Sequence, residues 1–309
     1  MESAPNLTTH THRRFLEDRQ QILAENERLR AEIATHKKLT FRLRDSYVKI
    51  TQSILSAKHI QKIALPGERR LQQVFPGAVL MDRPRDVVSG DFFWAGRHQS
   101  WRILGVVDST GHGIPGAMMS MIGHNVFEQT LKEGSFDVLG RLLDQVSMRL
   151  KTRDRMISDC PISTASNDLC FDAAVLAVHD SGQRVMFSGA VMDCFRIRDG
   201  RAEIWRGDRA SLGGSHMRIL RATGGTEQFS TIEMESKPGD QFYLMSDGLR
   251  DQFGGDNERK LGRKRLAELL VEHSCLPTNE RIAAIHRSFL LWKGANEQVD
   301  DVILVGLTL

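Results

Sequence analysis

The run "RILGVVDST", Arg102 to Thr110, drives an apolar strand straight into a carboxylate at Asp108, and no other feature limits the fold as tightly. A buried strand that ends on an acid needs something to hold the charge. The adjoining residues "GHGIPGAMM" supply Gly111, Gly113, Pro115 and Gly116, the makings of a tight turn that leads into a helix.

The same placement recurs along the chain. Asp91, in "VVSGDFFW", stands at the entry to an aromatic strand; Asp247, in "FYLMSDGL", stands at a strand exit; Asp300 and Asp301 precede "VILVGLTL". One such acid is ordinarily a turn residue. Several weaken that reading, because strand ends in one sheet lie side by side. Carboxylates gathered there repel one another and take up protons unless a cation sits among them. Mg²⁺ and Mn²⁺ prefer carboxylate, carbonyl and water oxygens, whereas no His or Cys accompanies these acids at zinc-ligand spacing. Two divalent ions about 3.5–4 Å apart activate a water and clamp phosphate oxygens, so the pattern points to phosphoryl chemistry.

Composition narrows the alternatives. The 309 residues suffice for one large domain or two modest ones. A formal net charge of +3, with 26% charged residues, argues against a nucleic-acid partner. The densest basic run, Arg259 to Arg265, adjoins a helical pattern and reads as a solvated face. Cys160, Cys170, Cys194 and Cys275 have no C-x-x-C spacing and read as idle thiols. The polar N-terminus has no apolar signal core, and no apolar run approaches the roughly 20 residues of a spanning helix. A cytoplasmic protein without a membrane partner is the expectation.

Two regions differ in texture. Residues 12–63 contain neither Gly nor Pro. Ile22, Leu29, Leu43 and Ile50 share one seven-residue register, and Ile33, Tyr47 and Ile54 its partner register, interrupted by Asn26, His36 and Thr40. The spacing predicts a disordered stretch over 1–11 and a helical, coiled-coil segment over 12–65 that makes a homodimer, ended by "LPG" at Leu65 to Gly67. A helix packed on the domain is the competing reading. From 66 to 309 short apolar runs cluster with helical patterns in groups, which predicts an α+β domain on antiparallel sheets. Residues 153–168, "RDRMISDCPISTASND", read as a long loop.

The motifs "RPRDVVSGDFFW", "VVDSTGHGIPGAMMSMIG", "YLMSDGLRDQFGG" and "EQVDDVILVG" together resemble the stage II sporulation E (SpoIIE-like) serine/threonine phosphatases. These are the bacterial branch of the metal-dependent protein phosphatase (PPM, protein phosphatase 2C) family, and the resemblance extends from about Ser53 to Leu309. It implies an αββα sandwich of two antiparallel sheets with helices outside and a site for two Mn²⁺ or Mg²⁺ ions at one end. Matched residue by residue, it makes Asp108 the bridging ligand with the Ser109 carbonyl beside it. Asp247 and Asp300 complete one ion's site, and Asp91 serves the other. Asp301 supports a neighbouring ligand position. Asp251 and Asp168 match acids tied to a third ion in some relatives, with Asp172 a competitor for Asp168. The implied substrate is a small phosphorylated signalling protein, such as an anti-sigma factor antagonist of a partner-switching module.

Two positions depart from the family pattern. The eukaryotic branch carries a proton-donating His two residues after the bridging Asp, where this chain has Thr110. His112 does not inherit that role by position, and reads as a polar residue ordering the turn before the helix. Arg83 and Arg85 are candidates for the phosphate-binding Arg, though Pro84 between them suits an exposed loop equally well. Two other functions stay open: a non-catalytic dimeric scaffold that binds a phosphoprotein, and a two-metal phosphodiesterase. Keeping like charges together without a catalytic use is costly, and no phosphate-loop motif of the nucleotide-triphosphate type is present.

Overall fold

The structure, a computed structural model, describes residues 7–134, 137–158, 169–214 and 229–309. Two compact units divide it, residues 1–55 and residues 56–309. Helix α1 spans Leu7–Ala64 and stops before Leu65-Pro66, since a residue preceding proline is disfavoured in the helical region. It therefore begins inside the stretch 1–11 for which the sequence suggests disorder. Its apolar residues Ile22, Leu29, Ile33, Leu43, Tyr47 and Ile50 are all exposed.

The larger unit is built on two five-stranded antiparallel sheets. One has the order β1 (Val79–Arg83), β12 (Val302–Thr308), β9 (Gln241–Met245), β6 (Cys194–Arg198), β7 (Arg201–Trp205). The other runs β2 (Phe92–His98), β3 (Trp101–Ser109), β4 (Phe171–His179), β5 (Arg184–Ala190), β8 (Ile232–Glu235). A small hairpin joins β10 (Phe253–Gly254) to β11 (Arg259–Lys260). Helices α2 (Glu68–Val74), α3 (Gly113–Glu133), α4 (Leu139–Ser158), α5 (Asp247–Asp251), α6 (Gly262–Glu272) and α7 (Thr278–Lys293) complete the described elements. The αββα sandwich expected from the family resemblance is present. One boundary differs: α4 runs to Ser158, into the stretch from residue 153 that reads as a loop, and residues 159–168, including Asp168, lie outside the described residues.

Strand alternation explains how the layers form. On β3, Leu104 and Val106 join an inter-sheet core with Phe93, Leu176, Phe187, Leu244, Ile303 and Val305. Ile103 and Val107, of opposite parity, join a second core with Val126 and Phe127 of α3 and Leu142 and Val146 of α4. A third core places Tyr243, Met245 and Leu304 against Leu266 and Leu270 of α6 and Ile285 and Phe289 of α7. At the far end of the sandwich, Arg198 pairs with the buried Asp240 at the start of β9. Both five-stranded sheets are thus buried on two faces, which is why their central strands read as continuous apolar runs.

Leu104 is fully buried between the sheets. Leu104→Ala should lower unfolding free energy by about 2–5 kcal/mol, the usual range for a leucine-sized cavity. Urea denaturation followed by circular dichroism measures this, and a loss well under 1 kcal/mol would show that the inter-sheet core closes over the gap.

Candidate active site

Parity along β3 carries one step past the core. Asp108 has the same parity as Leu104 and Val106, so its side chain leaves the sheet on the inter-sheet side. Its cross-strand partner on β4 is Asp172. On the other flank Phe92 pairs with Val107, so Asp91 stands at the next step, alongside Asp108. From the facing sheet, β9 ends at Met245 and hands over through Ser246 to α5, whose first residue is Asp247; Asp300 and Asp301 lead into β12 beside it. Ser246 ties the two together: Ile303 N–H donates to its Oγ at 3.0 Å. Gly248 is required there, since a Cβ would stand 2.1 Å from the Asp301 carbonyl oxygen. Asp91, Asp108, Asp172, Asp247, Asp300 and Asp301, far apart in sequence, interact electrostatically at one end of the sandwich.

The electrostatics are those of acids short of positive charge. Asp108 is pushed up to about 10, first by burial, then by Asp91, Asp247 and Asp172. Asp91 rises to about 8, again by burial first, with repulsion from Asp301 and Asp300 set against hydrogen bonding by Ser246 and Asp108. Asp247 and Asp172 are also raised, chiefly by burial. Asp91 Oδ2 is buried with no hydrogen-bond partner. A buried oxygen without a donor, inside a cluster that repels itself, is chemically suited to a hard divalent cation. Among the described residues, however, no group of three or more His, Cys, Asp or Glu side chains is arranged to hold a metal ion.

The remaining expected residues divide into roles. Asp301 is a clamp: its two carboxylate oxygens accept the N–H groups of Arg85 and Gly90, each at 2.7 Å. Ser109 Oγ donates to Gly90 O at 2.8 Å, closing the same corner. Asp251 is held below the usual carboxylate range; although burial opposes this, Arg250 at 2.8 Å and Lys260 at 3.0 Å both pair with it. Arg83 points to His286 at 3.3 Å and to its neighbour's carbonyl, while the Arg85 guanidinium donates to Val299 O at 3.0 Å. His112 stands in the turn before α3. It is the N-cap residue of α3 but caps nothing with its side chain, whose Nδ1 instead meets Asp86 Oδ2 at 3.0 Å.

Three participants do not stand out in the sequence. Arg250 sits three residues after Asp247 on α5, 3.7 Å from its carboxylate, and helical spacing is the available signal. Asp86 and Gln61 carry none, because their partners lie on other elements. Gln61, near the end of α1, donates to Ser89 O at 2.5 Å and to Ser120 Oγ at 2.9 Å, and its Oε1 accepts Ser89 N–H at 3.3 Å. That places the helix end two residues from Asp91.

Comparisons with known proteins agree with this architecture. The family profile of stage II sporulation protein E matches residues 101–309. The structure superimposes on the SiaA-PP2C domain of Pseudomonas aeruginosa with a TM-score of 0.72 at 26% identity, covering 85% of this chain and 98% of that one. The PP2C phosphatase domain of SpoIIE from Bacillus subtilis, with a fragment of its regulatory domain, gives 0.56 at 14%, covering 75% and 62%. The RsbU and RsbW domains of Rv1364c from Mycobacterium tuberculosis give 0.55 at 18%, covering 75% and 59%. No curated protein sequence matches the chain. Among the described residues, no helix is long and apolar enough to cross a membrane.

In the folded protein Asp91 and Asp108 titrate above their unfolded value of 3.8, so the native state holds protons that the unfolded chain releases. Metal-free stability should therefore fall as pH rises from about 5 to about 9. Asp108→Asn should flatten that slope and abolish stabilisation by Mn²⁺, both read from melting temperatures. A flat wild-type profile would mean that the carboxyls are already ionised in the native state.

Proposed function

Because the chain belongs to the stage II sporulation protein E family of serine/threonine phosphatases, we propose that its acid cluster hydrolyses phosphoserine and phosphothreonine on a small signalling protein, with two divalent ions bound. The observation that carries this reading is the Asp91–Asp108 pair, buried together and under-compensated by protein cations. Asp108 would hold both ions with the Ser109 carbonyl, Asp247 and Asp300 would complete one site, and Asp91 would serve the other. Mn²⁺ or Mg²⁺ supplies Lewis acidity there, lowering the pKa of a water and drawing charge from phosphoryl oxygens. Asp301 keeps the Arg85–Gly90 segment against the cluster. Arg250, oriented by Asp251 and 3.7 Å from Asp247, is the first candidate for holding a substrate phosphate, and Arg85, whose backbone N–H is held by Asp301, is the second. With Asp251 committed to Arg250 and Lys260, two ions rather than three are the reading carried forward.

Asp108→Ala should abolish Mn²⁺-dependent release of phosphate from a phosphoserine peptide while leaving circular dichroism unchanged, because losing one acid relieves repulsion among the rest. Turnover at the wild-type rate would overturn the assignment. A cyclic dinucleotide, tested beside the peptide, separates this activity from a two-metal phosphodiesterase, and inactivity toward both would favour a binding scaffold. The identity of the substrate as an anti-sigma factor antagonist, or a similar partner-switching module, is supported by the family resemblance. Cells carrying Asp108→Ala should accumulate one small phosphoprotein, which phosphoproteomics would identify.

The exposed heptad residues of α1 support a homodimer, since a helix with an uncovered apolar seam associates to bury it. The Gln61 contacts support a second step, in which the dimerised helix sets how the segment carrying Asp91 is held. Replacing Leu29 and Leu43 by Lys should shift the full chain from dimer to monomer in sedimentation equilibrium. Full activity in that monomer would rule out the coupling while sparing the catalytic reading.

A further inference from the structure

The acid cluster is uneven in charge. On the side of Asp91 and Asp108, burial and neighbouring carboxylates push both groups up. On the side of Asp247 and Asp251 a guanidinium stands among the acids. Arg250 Nε donates to Asp251 Oδ1 at 2.8 Å, and its Nη2 lies 3.7 Å from Asp247 Oδ2. The other oxygen of Asp251 accepts from the Lys260 ammonium at 3.0 Å. Two separate cations thus take the two oxygens of one carboxylate. Burial alone would raise Asp251, yet Arg250 and Lys260 hold it below the usual carboxylate range. Asp172, raised by burial, also feels Arg250 as a compensating charge.

Local structure brings both cations to that place. Arg250 stands three positions past Asp247 on α5, the helical spacing that puts two side chains on one face. Lys260 returns through the β10–β11 hairpin, where it is the cross-strand partner of Phe253, two residues after Asp251. Its ammonium lies 5.9 Å from the centre of the Phe253 ring. Between them Gln252, fully buried, donates to Glu297 O at 3.0 Å and accepts Val299 N–H at 3.2 Å, on the segment that leads to Asp300. The cations are therefore fixed to the same framework as the acids. Guanidinium is permanently charged, and at these distances it supplies the compensation that a metal ion would otherwise give. An ion at Asp251 would have to displace both partners and stand beside their charges.

We propose that Arg250 and Lys260 form a resident cation pair that takes the place of a third divalent ion, closing Asp251 to metal and confining Mn²⁺ to two sites. The inference rests on the two-ion phosphatase reading given above. Asp251 accordingly does not inherit the third-ion role that the family resemblance implies. Its carboxylate instead positions Arg250, a charge beside Asp247 that does not depend on metal supply.

Counting bound ions tests this without any turnover. In equilibrium dialysis of the full chain against Mn²⁺, wild type and Asp251→Asn should bind the same number of ions, two. Arg250→Gln combined with Lys260→Gln should bind one more, and adding Asp251→Asn to that pair should remove it again. Both replaced side chains are partly exposed, and circular dichroism checks that the fold holds. The Asp251→Asn comparison decides the matter even where the double variant does not fold. Loss of an ion in Asp251→Asn, an unchanged count in the folded double variant, or an added ion that survives Asp251→Asn would each overturn the proposal while the phosphatase reading stands. Wild-type protein that binds no Mn²⁺ would sink the two together.

Discussion

Repulsion between Asp91 and Asp108, adjacent at the end of neighbouring strands and both withdrawn from water, is the feature around which the molecule is arranged. Two buried carboxylates side by side destabilise any fold that does not compensate them. The protein commits little of its own positive charge to this pair. Arg250 is directed to Asp247 and Asp251 instead. Stability is supplied elsewhere, by three apolar cores that enclose both faces of each sheet. The site is left electrostatically unfinished in a way that suits a divalent ion, while the scaffold that fixes it is rigid.

That rigidity is local and built from main-chain contacts. Asp301 draws in two N–H groups from the segment before β2, Ser109 closes on Gly90, and Ser246 joins β9 to β12. At Gly90 and Gly248 the backbones approach so closely that any side chain would force them apart. Gln61 extends the same network to the end of α1. A change at that helix end has a short path to Asp91.

Much of this is legible in the chain. Strand ends carrying Asp91, Asp108, Asp247 and Asp300 announce a shared site because an apolar run ending in an acid is locally costly and rarely repeated without use. Strands β7 and β8 escape such a reading, being short, half-exposed and rich in charge, so period-two apolarity has too few residues to show. The tail of α4 resembles a loop since its Arg153, Asp154 and Arg155 give no apolar stripe, although α4 continues through them.

Architecture and the identity of the acids are thus written along the chain, because both are encoded in periodicity and in contiguous motifs. So is the seven-residue apolar register on α1, a property of spacing alone. Folding in three dimensions chose which side chains meet across elements: His112 with Asp86 instead of its own helix, Asp301 with two backbone N–H groups, Gln61 with Ser89. Those pairings depend on distances between segments separated by 26 to 216 positions. No local pattern records such a distance; packing sets it.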